Sequence, residues 1–201
     1  MIMTKPSKNA SRGKGRPREF DEDLVIAAIT DLFWAHGFEA VSITDIEKAT
    51  GLHKGSLYAA FGSKQAMYLR ALADYETRVV IQGCRTLRGA EDPQAALEGF
   101  MSAPIEAAYG SGDFRGCFLC NASADRAASC DETRGKVAKG YASLESALIH
   151  TVGRAMPYLS EDERTQKARL LLVTYSGLRV MARAKVPKAT LLAARNAALN
   201  A

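Results

Sequence analysis

Histidine, strand-like alternation and long apolar runs are all scarce in this sequence. No stretch of its 201 residues approaches the ~20 uninterrupted apolar residues of a membrane span. The opening segment, MIMTKPSKNASRGKGRPR, has no apolar core region and does not read as a secretory signal, so a cytoplasmic protein is expected. Its four cysteines are then expected to be reduced. Cys117 and Cys120 form a Cys-x-x-Cys, but no second pair or nearby histidine completes a zinc site, and His150 is remote in sequence. No metal and no cofactor is expected. There is no Ser–His–acid set either, which argues against an enzyme; a thiol-dependent one using Cys117 is the form left open. Internal repeats and period-two alternation are missing, whereas apolar residues recur at helical spacing along the chain. The fold class expected is all-α.

Acidic residues are absent from residues 1–18, which carry Lys5, Lys8, Arg12, Lys14, Arg16 and Arg18. The remaining 21 basic residues face 22 acidic ones, so the whole net charge of +5 originates in this arm. Punctuated by Gly, Ser and Pro, it has too few apolar residues to fold alone. A basic arm on a near-neutral body is a solvated tail or a means of reaching nucleic acid phosphates.

Helix signals follow at once. Asp21 is placed to cap a first helix, with Phe20 and Val25 as a hydrophobic staple and Gly37 as its stop. Ser42 and Asp45 resemble a capping box for a two-turn helix ended by Gly51. With His53 at the N-cap, the next helix runs from Lys54 to about Phe61, burying Leu57 and Phe61. Ser63 caps a longer helix whose first turn holds Lys64, where a cation opposes the helix dipole. Further along, Asp92-Pro93 opens a helix that Pro104 should kink or end, and YGSGDFRG is a loop. Helical runs at about 117–128, 131–156 and 161–185 follow, and Pro187 opens a last one.

Two short helices joined by a Gly-containing turn, the second bearing small polar and basic groups, describe a helix-turn-helix. Gly55 and Ala59 keep that second helix slim enough for a major groove ~12 Å wide. Ser56, Tyr58 and Lys64 supply donors at phosphate level, and the amides opening the third and fourth helices attract the same anions. A tight helical corner with a solvated face is the plain alternative, and a non-specific nucleic-acid binder using the arm is another. Residues 20–62 are themselves acidic, with seven carboxylates against Lys48 and Lys54.

Residues 20–72, from the lead-in GRPREFD through FWAHGFEAVSITDIEKATGLHKGSLYAAFGSKQAMYLRAL, resemble the amino-terminal DNA-binding domain of the TetR family of repressors. The resemblance implies a basic arm over 1–18, a helix-turn-helix domain over 19–66 and a ligand-binding and dimerisation domain over 67–201. It places Thr44 and Gly55 at base-facing positions and Ser42, Ser56, Tyr58 and Lys64 at backbone-facing ones. His53 stands where the family commonly has Ser, and Lys54, Arg16 and Arg18 complete the expected DNA-binding set. The function implied is a ligand-responsive repressor, released from an inverted-repeat operator in double-stranded DNA by a small molecule.

In the carboxy-terminal half, RGCFLCNASAD resembles a TetR subgroup reading Gly-Cys, two apolar residues, any residue, Asn, then an acid. Gly116, Cys117, Asn121 and Asp125 match, with Asp where Glu is usual. That subgroup includes regulators responding to reactive electrophiles and unsaturated acyl compounds, which makes Cys117 a sensor candidate beside Cys120, Asn121 and Asp125. Arg115 and helix-end amides would favour its thiolate, so Cys117 is expected to react faster than Cys84, Cys120 or Cys130. The competing reading is that the thiols are small core hydrophobes, and that Asn121 and Asp125 fix a helix junction or line a pocket. TetR-like proteins are dimers, and Leu171, Tyr175, Gly177 and Leu178 offer an apolar face for a homodimer through a four-helix bundle.

Overall fold

The computed structural model describes residues 20–201, so the arm with its cations, Arg16 and Arg18 among them, lies outside the described residues. Those residues form helices and connecting turns, with no strand among them. Helix α1 (Glu22–Ala40) starts where Asp21 accepts from the amides of Asp23 and Leu24 at 3.0 and 3.3 Å. Gly37, expected to stop it, breaks the helical path with φ 80° and ψ 175°, yet the chain turns helically once more to Ala40.

Helices α2 (Ile43–Thr50) and α3 (Lys54–Phe61) follow, and Ser63 caps α4 (Lys64–Tyr75) through the Ala66 amide at 3.1 Å. An isolated eight-residue helix is not stable in water. Here Phe33, Ile46, Leu57, Met67 and Tyr68 are all fully buried in one core. Each such side chain contributes about 1.5–3 kcal/mol, so burial holds both short helices in place. Phe20, the expected staple residue, packs its ring 6.3 Å from that of Phe61.

From α4 the helical path continues through a π-helical turn, Glu76–Val80, into α5 (Ile81–Gly89). The Ile81 amide reaches back five residues to the Glu76 carbonyl. The buried Glu76 carboxylate meets Lys139 at 3.0 Å. Helix α6 (Pro93–Tyr109) has the expected Asp92 cap, but Pro104 does not end it. Proline costs one backbone bond there, and its buried ring packs in the core instead.

The chain closes with α7 (Phe118–Asp125), α8 (Asp131–Ala155), α9 (Glu161–Arg183) and α10 (Lys188–Asn200). Helices α5, α6, α8, α9 and α10 pack on one another, α4 lies along α1, and α7 sits between α1 and the α8–α9 pair. Lys167 crosses to the end of α10, donating to the carbonyls of Ala198 and Leu199 at 3.0 and 2.9 Å.

The expected dimer face needs correcting. Leu171, Tyr175 and Leu178 point into the chain's own core, Tyr175 stacking on Phe100 at 4.1 Å. The apolar residues that α9 leaves in the open are Leu170, Val173, Val180 and Met181, with Val173 72% exposed. Gly177 stays on that outer side, where an added Cβ would meet no atom within 4 Å.

Candidate nucleic-acid interface

Helix α2 is fixed at its start by a reciprocal capping box. Ser42 Oγ accepts from the Asp45 amide at 3.1 Å, and Asp45 Oδ2 takes the Ser42 amide and hydroxyl at 2.9 and 2.6 Å. The Ser42 hydroxyl, ahead of its amide, holds the Asp45 carboxyl below the usual range. At the other end Gly51 takes φ 70° and its amide bonds the Glu47 carbonyl at 2.9 Å. This left-handed cap turns the chain sharply into α3.

His53 occupies the N-cap of α3 as expected, but its side chain caps nothing. The Glu47 carboxylate does so instead, accepting from the Lys54 amide at 2.6 Å. The amides opening α3 are therefore not all free for an anion. Leu57 and Phe61 anchor the inner side of α3, while Lys54, Gly55, Ser56, Tyr58 and Ala59 face solvent. Thr44, Ser42 and His53 are exposed alongside them. Nothing packs against Gly55, where a Cβ would have open space, so packing does not explain its small size.

Lys64 is only half-exposed, its ammonium 4.4 Å from the centre of the Phe38 ring. The Arg126 guanidinium lies 4.2 Å from the same ring. A cation–π contact of this kind is worth about 0.5–1 kcal/mol at exposed sites, which offsets the unfavourable place of Lys64 in the first turn.

Asn121 and Asp125 join this unit to the rest of the chain. Asn121 Nδ2 donates to the carbonyls of Trp34 and Arg115 at 3.1 and 2.9 Å. The Asp125 carboxylate accepts from the Phe38 amide at 2.6 Å. A Cβ on Gly37 would stand 3.0 Å from that carboxylate, and its φ of 80° adds a second reason for glycine. Arg183, at the end of α9, donates to the carbonyls of Arg115 and Ala35 at 2.6 and 3.0 Å and reaches that of Trp34 at 3.4 Å. The end of α1 is thus clamped from α7 and α9 together. No local pattern announces the Arg183 clamp, since a cation in a last helical turn is common. The same holds for Glu47, whose partner lies around a turn.

Cys117 takes the N-cap of α7 but is only 4% exposed, and Cys120 is 7% exposed. Tyr75 donates to the Cys117 sulfur at 3.5 Å, while the Cys120 thiol faces the Ser176 carbonyl at 3.9 Å and accepts from Tyr141 at 3.3 Å. The neighbouring Cys120, and then Tyr75, hold the Cys117 thiol below its ordinary range despite burial, while Cys117 and burial push the Cys120 thiol above its own. The cation acting on Cys117 is Arg179; Arg115 turns away to Asp113 and Asp31 and stacks 3.9 Å from the Trp34 ring. Cys120 also borders an open groove of about 450 Å³ lined by Gly37, Asn121, Asp125, Val180 and Arg183.

Residues 25–71 match the family described as bacterial regulatory proteins, tetR family. Over 151 residues the chain is 30% identical to the HTH-type transcriptional repressor BdcR of Escherichia coli (strain K12), covering 75% of each protein. It is also 30% identical over 121 residues to the HTH-type transcriptional repressor ComR of the same organism, spanning 60% of this chain and 58% of ComR. Among solved structures, a cysteine mutant of the TetR family transcriptional regulator CifR, complexed with 26-base-pair double-strand operator DNA, has a TM-score of 0.79 and 26% identity, over 92% of this chain and 99% of that one. Escherichia coli NemR in its reduced form shares the fold, with a TM-score of 0.78 at 18% identity over 89% of this chain and 94% of NemR.

Proposed function

The chain belongs to the TetR family of bacterial regulatory proteins, and we propose that it is a transcriptional repressor which binds an inverted-repeat operator as a homodimer and leaves it when a small molecule binds. The observation that carries this reading is the outer face of α3: small, polar and basic, anchored from behind by Leu57 and Phe61, and free of packing at Gly55. Such a face fits a major groove. The complex of CifR with operator DNA supports the same use of this fold.

In this reading residues 19–66 dock on DNA while 67–201 hold the effector and the second copy. Thr44 and Gly55 face base edges and Ser42, Ser56, Tyr58 and Lys64 face the backbone; His53 meets phosphate or base, and Lys54, Arg16 and Arg18 complete the set. The open stripe of Leu170, Val173, Gly177, Val180 and Met181 on α9 is the apolar surface that a second copy would cover. An isologous pairing of α9 and α10 in a four-helix bundle would set two α3 helices at a fixed spacing. We read the protein as a cytoplasmic regulator and not an enzyme, which its regulator relatives support; among the described residues no helix is long and apolar enough to cross a membrane.

Effector binding reaches DNA through the end of α1, where Asn121, Asp125 and Arg183 grip it from α7 and α9. A ligand shifts this equilibrium only by its differential affinity for the two states, typically about 1–3 kcal/mol of coupling. Selection from random duplexes, followed by titration on the enriched sequence, tests the reading. Enrichment of an inverted repeat with half-sites about one helical turn apart supports it, and uniform binding to every duplex overturns it. An alternative signal, electrophile or redox modification of Cys117, draws support from its hydrogen-bonded thiol; its burial argues for a non-covalent ligand instead.

A further inference from the structure

Lys64, one of the groups assigned to the DNA backbone, is anchored by an aromatic ring. Among the described residues it makes no ion pair and no side-chain hydrogen bond, and its ammonium lies 4.4 Å from the centre of the Phe38 ring. The nature of that anchor matters chemically. A carboxylate partner would neutralise the charge that attracts a phosphate, and a carbonyl or hydroxyl would occupy N–H donors. An aromatic face holds the cation through its quadrupole and leaves every ammonium donor available.

The ring is itself fixed from several directions. Gly37 breaks the path of α1 with φ 80°, and Phe38 begins the short turn beyond it. The Asp125 carboxylate accepts from the Phe38 amide at 2.6 Å. Tyr68 meets the ring edge-on at 5.2 Å, and Phe33 stacks at 6.2 Å. The Arg126 guanidinium lies 4.2 Å from the ring centre, donates to the Gln65 side-chain carbonyl at 2.8 Å and pairs with Glu39 at 3.6 Å. Gln65 follows Lys64 directly in α4, so Arg126 braces both the ring and the helix start beside it. With Gln65 and Glu39 as partners, Arg126 serves the ring and Lys64 keeps its donors.

We propose that Phe38 is a positioning residue for DNA binding, its ring holding the Lys64 ammonium where a backbone phosphate arrives, with charge and donors intact. The inference rests on the phosphate contact proposed for Lys64. A lysine that meets a phosphate loses rotamer freedom, which costs about two- to tenfold in affinity. A lysine resting on a fixed aromatic face has lost part of that freedom beforehand. Phe38 acts only through Lys64, so its effect on DNA binding should vanish when Lys64 is removed.

The test replaces Phe38 with pentafluorophenylalanine in the full-length protein, which keeps the shape of the ring and reverses the charge distribution on its face. Fluorescence anisotropy then measures affinity for the selected operator and for random duplexes, with Lys64 present and in a Lys64→Ala background. Fluorination is expected to weaken binding about fivefold on both kinds of duplex and to have no further effect once Lys64 is alanine. A thermal melt confirms that each protein is folded, and Phe38→Leu is read in the same way if the fluorinated protein is not. Parental affinity in the folded fluorinated protein would overturn the proposal. An equal loss with and without Lys64 would also overturn it, because a ring that only supports the fold acts independently of the lysine. If Lys64→Ala itself binds both duplexes as the parent does, the phosphate role of Lys64 fails and the inference fails with it. Weaker binding by Lys64→Ala beside an inert Phe38 refutes the inference alone.

Discussion

Gly55→Ala should move stability and operator affinity in opposite directions. Gly55 lies near the start of α3, is exposed, and is not among the glycines with positive φ. A Cβ built there meets no atom within 4 Å, so the folded chain accepts the methyl group without strain. Alanine then reduces the entropy of the unfolded state and should stabilise by about 0.5–1 kcal/mol. For a chain of this size that corresponds to a rise in Tm of about 1–4 °C. On DNA the same methyl group stands on the face proposed to enter the groove, where backbone and base edges approach closely. A fall of about tenfold in operator affinity, ~1.4 kcal/mol, is the expected outcome. Thermal melting by circular dichroism gives the first quantity, and fluorescence anisotropy on the selected operator gives the second. A fall in Tm would refute the packing argument. Unchanged affinity and sequence preference would show that Gly55 does not face the groove.

Removing residues 1–18 should weaken binding and reduce the log–log salt slope by about 0.9 on duplex DNA for each phosphate the shortened chain no longer neutralises; an unchanged slope makes the arm a spectator. Tyr58→Phe and Lys64→Ala should lower affinity for operator and random duplexes alike, whereas changing Thr44 should alter the preferred sequence, as competition titrations would reveal. Arg183→Ala frees the Ala35 and Arg115 carbonyls and should change the effector's influence on operator affinity more than effector binding itself; calorimetry with and without DNA compares the two. Cys117→Ser should still bind operator, and a normal response to the effector would assign Cys117 to packing.

Local chemistry made much of the fold legible. Ser42-x-x-Asp45, Gly51, Ser63 and Asp92-Pro93 each act through neighbours a few residues away, so both partners stand close together in the sequence. The burial of Leu57 and Phe61 beneath an exposed polar face was equally readable, because helical spacing puts them on one side. Helix α9 was not. It is apolar nearly all round over 170–181, so periodicity alone cannot say whether Leu171 or Leu170 turns inward. Tertiary packing decides, and it buries the first. Pro104 stays inside α6 because its buried position compensates for the one backbone bond it removes, and that burial is set by residues distant in sequence. The Arg183 clamp and the contact of Lys64 with Phe38 depend on residues far apart in sequence, where no local pattern exists.

The π-helical turn at Glu76–Val80 sets a phase. One extra residue in a helical path, at 3.6 residues per turn, rotates everything beyond it by about 100°. The face that α4 presents to α1 and the face that α5 presents to α8 are therefore offset along one continuous rod. A rod of this kind works like a fixed gear between its two ends. Deleting a single residue within 76–80 would let the rod close into plain α-helix without breaking it. Cys84 and Leu87 would then swing out of the core while Met67 and Tyr68 stayed in theirs. Angular register, more than helix length, is what that stretch of sequence specifies.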